Sequence, residues 1–390
     1  MNAASTTLGE IARVFLKLGT ISFGGPAVHI AMMEEEVVRR RGWLTREQFL
    51  DYLGAVNLIP GPNSTELAIH VGRERAGWPG LITAGACFIL PAVLIVSGIA
   101  WAYVTFGKLP QVAHVLYAVK PVVIAVVLQA LWLLGRSAIK SKPLGVLTVA
   151  AAAAAALGAN ELIVLAASGA AALTVQLVAR ARTQRRDIVS VIVPASTWQS
   201  DGTFAAATAT AAAGASFGLW PLFTTFVKIG SVLFGSGYVL LAFLRADFVE
   251  RLGWLTEQQL LDAVAVGQIT PGPVFTTATF VGYILGGSSG AAVATLGIFL
   301  PAFVFVAISS PIVPRLRKSA TASAVLDGVN VASLALMAVV TLQLGRAALV
   351  DPWTIAVAVL SAVLIIRRRV NSAWLVLVAA ALGLAFGARV

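Results

Sequence analysis

Apolar residues run through this chain in stretches too long for a soluble core. Pro79 to Val104 carries no charged residue, and neither does Ala263 to Pro314. A helix that crosses a bilayer needs about 20 mostly apolar residues. The pattern therefore predicts spans at about 78–105, 110–135, 143–159 and 162–179, and again at about 289–313, 324–345, 352–366 and 371–388. Ahead of each set lies a more mixed stretch. A glycine-interrupted helix (Leu8 to Met33; Phe217 to Leu244) leads to a moderately polar helix (Thr45 to Ile59; Thr256 to Ile269) that ends in Pro-Gly-Pro. A short helix follows each break (Asn63 to Gly72; Val274 to Leu285).

The duplication is literal. Phe15, Lys17, Gly19, Phe23 and Gly24 return as Phe226, Lys228, Gly230, Phe234 and Gly235, a shift of 211 residues. The same shift pairs Trp43-Leu44-Thr45 with Trp254-Leu255-Thr256, Asp51 with Asp262, and Pro60-Gly61-Pro62 with Pro271-Gly272-Pro273. After one gap the shift is 210, pairing Leu90-Pro91-Ala92 with Leu300-Pro301-Ala302. The chain reads as two homologous halves, 1–180 and 217–390, joined by a basic, then Ala/Thr-rich linker over 181–216.

Charge sets the relative orientation of the halves. In the first, basic residues cluster at Arg39 to Arg41, Arg73 and Arg75, Arg136 to Lys142, and Arg180 to Arg186, while the loop at Lys108 is nearly neutral. In the second, the counterpart of the Lys108 loop carries Arg315, Arg317 and Lys318, and Arg367 to Arg369 lie between spans whose counterparts in the first half are joined by the weakly acidic Asn160-Glu161. The bias changes sides, and cytoplasmic loops concentrate Lys and Arg. The expected fold is an all-α polytopic membrane protein, an inverted-topology repeat of a kind common in secondary transporters. It should have about ten transmembrane helices plus broken or re-entrant helices at the Pro-Gly-Pro motifs. The oligomeric state, a homodimer among the options, is not fixed by the sequence.

Composition agrees and narrows the chemistry. Of the 390 residues 58% are hydrophobic and 12% charged, with a mean hydropathy of +0.89. The net charge of +11 belongs to topology-setting loops, not to a nucleic-acid surface. One cysteine, Cys87, allows neither a disulfide framework nor a thiolate metal site. No phosphate-cradling Gly-x-x-x-x-Gly-Lys-Ser/Thr loop is present, and no cofactor or metal is expected.

The Pro-Gly-Pro breaks are the leading site candidates. Proline suits the first position of a helix, so each motif ends one helix and begins another. The new N-terminus offers backbone N–H groups and the positive end of a dipole, an anion site. Asn63, Ser64 and Thr65 in the first half, and Thr276 and Thr277 in the second, are the expected hydrogen-bond donors. Gly24, Gly25 and Gly235 let backbone or ligand approach closely. Lys17 and Lys228, equivalent lysines in apolar helices, are expected either to bring charge to a dianion or to snorkel to a surface. Asp51 and Asp262 are candidate partners of those lysines. Glu66 and His70, one turn apart on one helix face, suit proton coupling. Lys120 is specific to the first half, its counterpart being Asn330. His29 and His114 read as internally satisfied polar side chains, and Glu34 to Arg41 as an interfacial loop.

The set Phe23-Gly24-Gly25-Pro26, His29, Trp43-Leu44, Phe49, Pro60-Gly61-Pro62-Asn63 and Gly72 resembles the chromate transporter family. Phe234-Gly235, Trp254-Leu255, Pro271-Gly272-Pro273 and Gly282 resemble the second domain of its two-domain members. That resemblance implies efflux of chromate across the inner membrane, energised by protons, with sulfate as a related oxyanion. The second copy departs from the pattern at Ser236-Gly237 and Val274-Phe275, so the first half is expected to carry more of the polar contacts. An anion channel and a carrier of another oxyanion are the alternatives from residues alone. A membrane enzyme lacks a supporting motif.

Overall fold

The computed structural model describes residues 7–23, 25–107, 109–186, 216–234, 237, 239–309, 320–368 and 370–386. Most of the linker, with Gly24, Gly235, Ser236, Arg315, Arg317, Lys318 and Arg369, lies outside them. The described residues form helices joined by short turns, with no strand among them. The first half contributes α1 (Leu8–Ile21), α2 (Pro26–Met33), α3 (Arg46–Val56), α4 (Asn63–Phe106), α5 (Pro110–Ala138), α6 (Lys142–Ala156) and α7 (Glu161–Arg186). The second repeats the order as α8 (Leu219–Val232), α9 (Leu240–Leu244), α10 (Glu257–Ile269), α11 (Thr277–Ser309), α12 (Ala320–Ala348), α13 (Pro352–Arg368) and α14 (Ser372–Phe386).

Five helical stretches are long and apolar enough to cross a membrane: Asn63–Phe106, Gln111–Ala138, Glu161–Val178, Val274–Ser309 and Thr321–Ala348. The other three expected spans form the shorter helices α6, α13 and α14, of 15, 17 and 15 residues. At 1.5 Å per residue these cover about 22–26 Å, less than a full hydrocarbon core. Their apolar runs continue into turns, as at Gly158, whose φ of 84° ends the run behind α6.

Short sequence signals position the broken helices. Thr45 and Thr256 cap α3 and α10 with reciprocal bonds to Gln48 and Gln259, which satisfies orphan N–H groups. The helix begun at Asn63 runs past the predicted Gly72 and then doubles back. At Gly77 φ is +60°, a backbone state open to glycine, and Gly287 repeats it at +61°. Gly72 then lies so close to Gly80 that a Cβ on either would run into the other's carbonyl oxygen, and Gly282 and Gly290 do the same. Each hairpin is thus a packed pair of helices whose closeness depends on small residues.

One expectation is corrected. Glu34 to Arg40 is a π-helical turn, not a loop, and Arg245 to Arg251 is its counterpart. The widened turn aligns residues five apart. That is the spacing of the ion pairs Glu35–Arg40 (3.2 Å), Glu36–Arg41 (3.2 Å) and Arg245–Glu250.

The halves interleave. The hairpin arms α4 and α11 pack on each other, with α1 on α4 and α8 on α11. The first half's α6 and α7 pack on the second half's α12, while α13 and α14 pack on α5. Glycine sets both crossings: Gly328 sits against the Ser168 carbonyl, and Gly383 against that of His114.

Candidate functional site

The two Pro-Gly-Pro breaks meet at the centre of this interleaved body. Gly61 donates its N–H to the Leu233 carbonyl (2.8 Å), and Gly272 donates to that of Ser22 (3.0 Å). These bonds are related by the 211-residue repeat, each tying the break of one half to the end of the other half's first helix. Both glycines have positive φ, 138° and 88°. Pro26, Pro62, Asn63, Ser64, Gly237, Pro273, Val274 and Phe275 enclose a cavity of about 20 Å³ between them. That space holds about one water, so the centre is closed in this conformation.

Around this centre the halves differ in polarity. His29 Nε2 lies 3.1 Å from the Ser22 carbonyl and Nδ1 3.2 Å from Ser64 Oγ. A carbonyl only accepts, so Nε2 carries the proton, and in the neutral ring Nδ1 accepts from the Ser64 hydroxyl. One imidazole therefore joins the Ser22 oxygen that receives Gly272 to the start of the Asn63 helix. The second half has Leu240 and Phe275 at the equivalent positions. Asn63 donates to Asn57 Oδ1 at 2.7 Å. Thr65 is buried, and its hydroxyl has no hydrogen-bond partner among the described residues. Thr276 and Thr277 turn inward on their own backbone, bonding the Pro273 and Val274 carbonyls at 2.8 Å.

Glu66 lies under the first break. It is fully buried, its carboxyl approaches Gly61, and neither carboxyl oxygen has a hydrogen-bond partner among the described residues. His70, one turn on, is stacked on Tyr52 at 5.2 Å. Gly25 holds φ 83° at the start of α2, in front of Pro26. Pro60 and Pro271 open the two breaks beside Gly61 and Gly272.

The lysines pair with acids other than Asp51 and Asp262. Lys17 Nζ is 3.0 Å from Glu36 Oε2, and Lys228 Nζ is 2.5 Å from Asp247 Oδ1. Residue reading missed these partners, although the 211 shift also pairs Glu36 with Asp247. Asp51 is exposed on α3. Asp262 is buried, with the Tyr103 hydroxyl donating to Oδ2 at 2.9 Å and Lys120 Nζ 3.0 Å from Oδ1. The latter is a contact of opposite charges and not an aligned hydrogen bond. Lys120 also donates to Gln258.

The Glu36 cluster predicts a pH effect. Burial raises this carboxyl, but the hydrogen bond and charge of Lys17, and then those of Arg41, outweigh it and hold it below the ordinary carboxylate range. A depressed carboxyl stabilises the fold above its unfolded value, and that contribution is lost as pH falls through the folded one. Thermal unfolding of detergent-extracted protein should thus shift to lower temperature as pH drops below about 4. Glu36→Gln should flatten that acid limb. An unchanged limb in the variant would count against the cluster's role.

Asp262 and Asp51 mark a larger asymmetry. Helix α10 is buried from Leu260 to Gln268, whereas α3 buries Phe49, Ala55 and Val56. Beside α3 a cavity of about 330 Å³ opens onto Asn63, lined also by Asn57, Lys140, Asp327, Asn330 and Ser333. At the position equivalent to Asn330 stands Lys120, which contacts the buried Asp262 that Tyr103 also bonds. A second cavity, of about 450 Å³, opens at the opposite end of α12, lined by Asn160, Lys228, Arg245, Asp247 and Gln343, so the two halves differ in how these equivalent helices are buried and in what lines the cavities near them.

A family model described as "Chromate transporter" matches residues 9–173 and again 220–384. The chromate transport protein of Cupriavidus metallidurans is 31% identical over 391 residues, covering 98% of this chain and 94% of that one. The chromate transport protein of Pseudomonas aeruginosa is 30% identical over 336 residues, covering 85% and 80%. An uncharacterized transporter of Methanocaldococcus jannaschii is 28% identical over 381 residues, covering 95% and 92%. No solved structure matches the chain.

Proposed function

Because this chain belongs to the chromate transporter family, we propose that it exports chromate from the cytoplasm across the inner membrane by alternating access around the paired Pro-Gly-Pro breaks, driven by the proton gradient. The observation that carries this reading is the unequal state of two equivalent helices. Helix α3 buries Phe49, Ala55 and Val56 and leads into Asn57, which lines an open cavity, while α10 is buried from Leu260 to Gln268. In an inverted repeat, exchanging those two states turns an inward-open carrier into an outward-open one. On the orientation set by the basic loops, the vestibule beside Lys140 faces the cytoplasm, the side from which export loads. A centre with room for about one water suits a carrier between loads better than a continuous channel.

The chemistry of the centre suits a tetrahedral dianion. The Asn63 helix aims its N-terminus at the break, and the Thr65 hydroxyl has no hydrogen-bond partner among the described residues. Chromate and sulfate share charge and oxygen geometry, so both are substrates on this reading. Glu66, a carboxyl against Gly61 with no hydrogen-bond partner among the described residues, is the proton carrier, since a buried ionisable residue in a membrane helix marks a functional site by default. The test is uptake of labelled chromate into everted membrane vesicles with and without a proton gradient. Gradient-dependent uptake competed by sulfate is expected and should be lost in Glu66→Gln. Uptake indifferent to the gradient would overturn proton coupling, and no anion flux at all would overturn the site.

A further inference from the structure

The cavity beside Asn57 and Asn63 has a chemistry that the equivalent residues of the other half lack. Asn330 and Ser333 stand one turn apart on α12 and face Asn57 and Asn63 across the cavity. Ser333 is 2% exposed, and its hydroxyl has no hydrogen-bond partner among the described residues. The backbone N–H groups of Asn63 and Ser64 have no acceptor within their own helix, because Thr65 and Glu66 take the Pro62 carbonyl. Lys140 stands at the mouth, 2.7 Å from Asp327. Donors, a helix N-terminus and a buried unpaired hydroxyl thus meet in a space large enough for a tetrahedral ion, outside the closed centre.

The repeat shows that this set is not inherited from both halves. The residue equivalent to Asn63 is Val274, Ser333 corresponds to Val123, and Lys140 to Val350. Asn330 corresponds to Lys120, whose charge is committed to Asp262. The equivalent residues of the other half cannot hold an anion by these contacts.

The geometry points to a second oxyanion position in this vestibule, a loading station formed by Asn63, Asn330 and Ser333 that serves one face of the membrane only. It rests on the transport reading above and adds a sided affinity: the protein takes up its anion more readily from the Lys140 face than from the other. The Lys140–Asp327 pair keeps the mouth close to neutral, so the bound anion is held by hydrogen bonds and the helix end, not by a free cation.

The test is transport of labelled chromate and sulfate in inside-out and right-side-out vesicles, together with equilibrium binding of sulfate to the purified full chain. The Asn330→Val, Ser333→Val double variant should raise the half-saturating concentration about tenfold from the Lys140 face, as expected for losing a hydrogen bond to a charged group. From the opposite face it should move less than twofold. Ser333→Thr, which keeps the hydroxyl, should stay near the parent and so separates this effect from misfolding. An equal rise from both faces, or none from either, overturns the station while transport itself stands. If the parent moves neither anion, the transport reading fails, and binding then decides: sulfate bound by the parent and lost in the double variant supports the station, and no binding overturns it.

Discussion

Gly72→Val should leave almost no folded protein in the membrane. A Cβ at Gly72 meets the Gly80 carbonyl directly and lies 2.5 Å from Ala84 Cβ. Overpacking that side chains can relieve costs about 1–3 kcal/mol. Here the obstacle is backbone, and relief means parting the two arms of the α4 hairpin. Those arms carry the first Pro-Gly-Pro helix and the surface on which α1 and α11 pack. The expected loss exceeds about 3 kcal/mol, a large fraction of what stabilises an ordinary domain. The check is the yield of monodisperse protein after detergent extraction. Gly98→Val is the control, since a Cβ there meets nothing within 4 Å. A Gly72→Val yield equal to that control would refute the hairpin.

Asp262→Asn should move the protein away from the conformation described here. In this state Asp262 and Lys120 are nearly enclosed, their side chains 5% and 14% exposed. Removing one partner of such a pair costs about 3–5 kcal/mol, because a buried charge is left uncompensated. The exchanged conformation would not bear that cost. There Asp51 would take the buried place, and the residues equivalent to Tyr103 and Lys120 are Val313 and Asn330, neither of which can hold a carboxylate in the same way. The lock therefore favours one facing only, and its loss should shift the equilibrium by more than about a hundredfold. Labelling of a thiol placed by Ser137→Cys, in a Cys87→Ser background, reads the open vestibule. It should slow at least tenfold in Asp262→Asn and less in Tyr103→Phe. Unchanged labelling would mean that the contact does not set the facing.

Much of this was legible in residue order. The apolar runs, the doubled Phe-x-Lys-x-Gly and Pro-Gly-Pro motifs, and the threonine caps at Thr45 and Thr256 are local signals, and local physics reads them directly. Span and break positions follow from periodicity and from proline and glycine, which need no distant partner. The family, too, is visible in motifs as short as Phe23 to Pro26 and Pro60 to Asn63.

Pairing was not legible. Lys17 looks as suited to Asp51 as to Glu36. The π-helical turn decides between them by rotating Glu36 toward α1 and aligning charges five residues apart. His29 reads as an ordinary buried imidazole until the fold brings Ser22 and Ser64 to its two nitrogens. Sequence alone fixed that the chain is a doubled, helical membrane protein with two broken helices. The tertiary structure decided that the breaks bond each other's first helices, that Asp262 is buried against Lys120 while Asp51 is exposed, and that Asn63, Asn330 and Ser333 share one cavity. Two halves alike in sequence can occupy different conformations, and which half occupies which depends on contacts between residues more than a hundred positions apart.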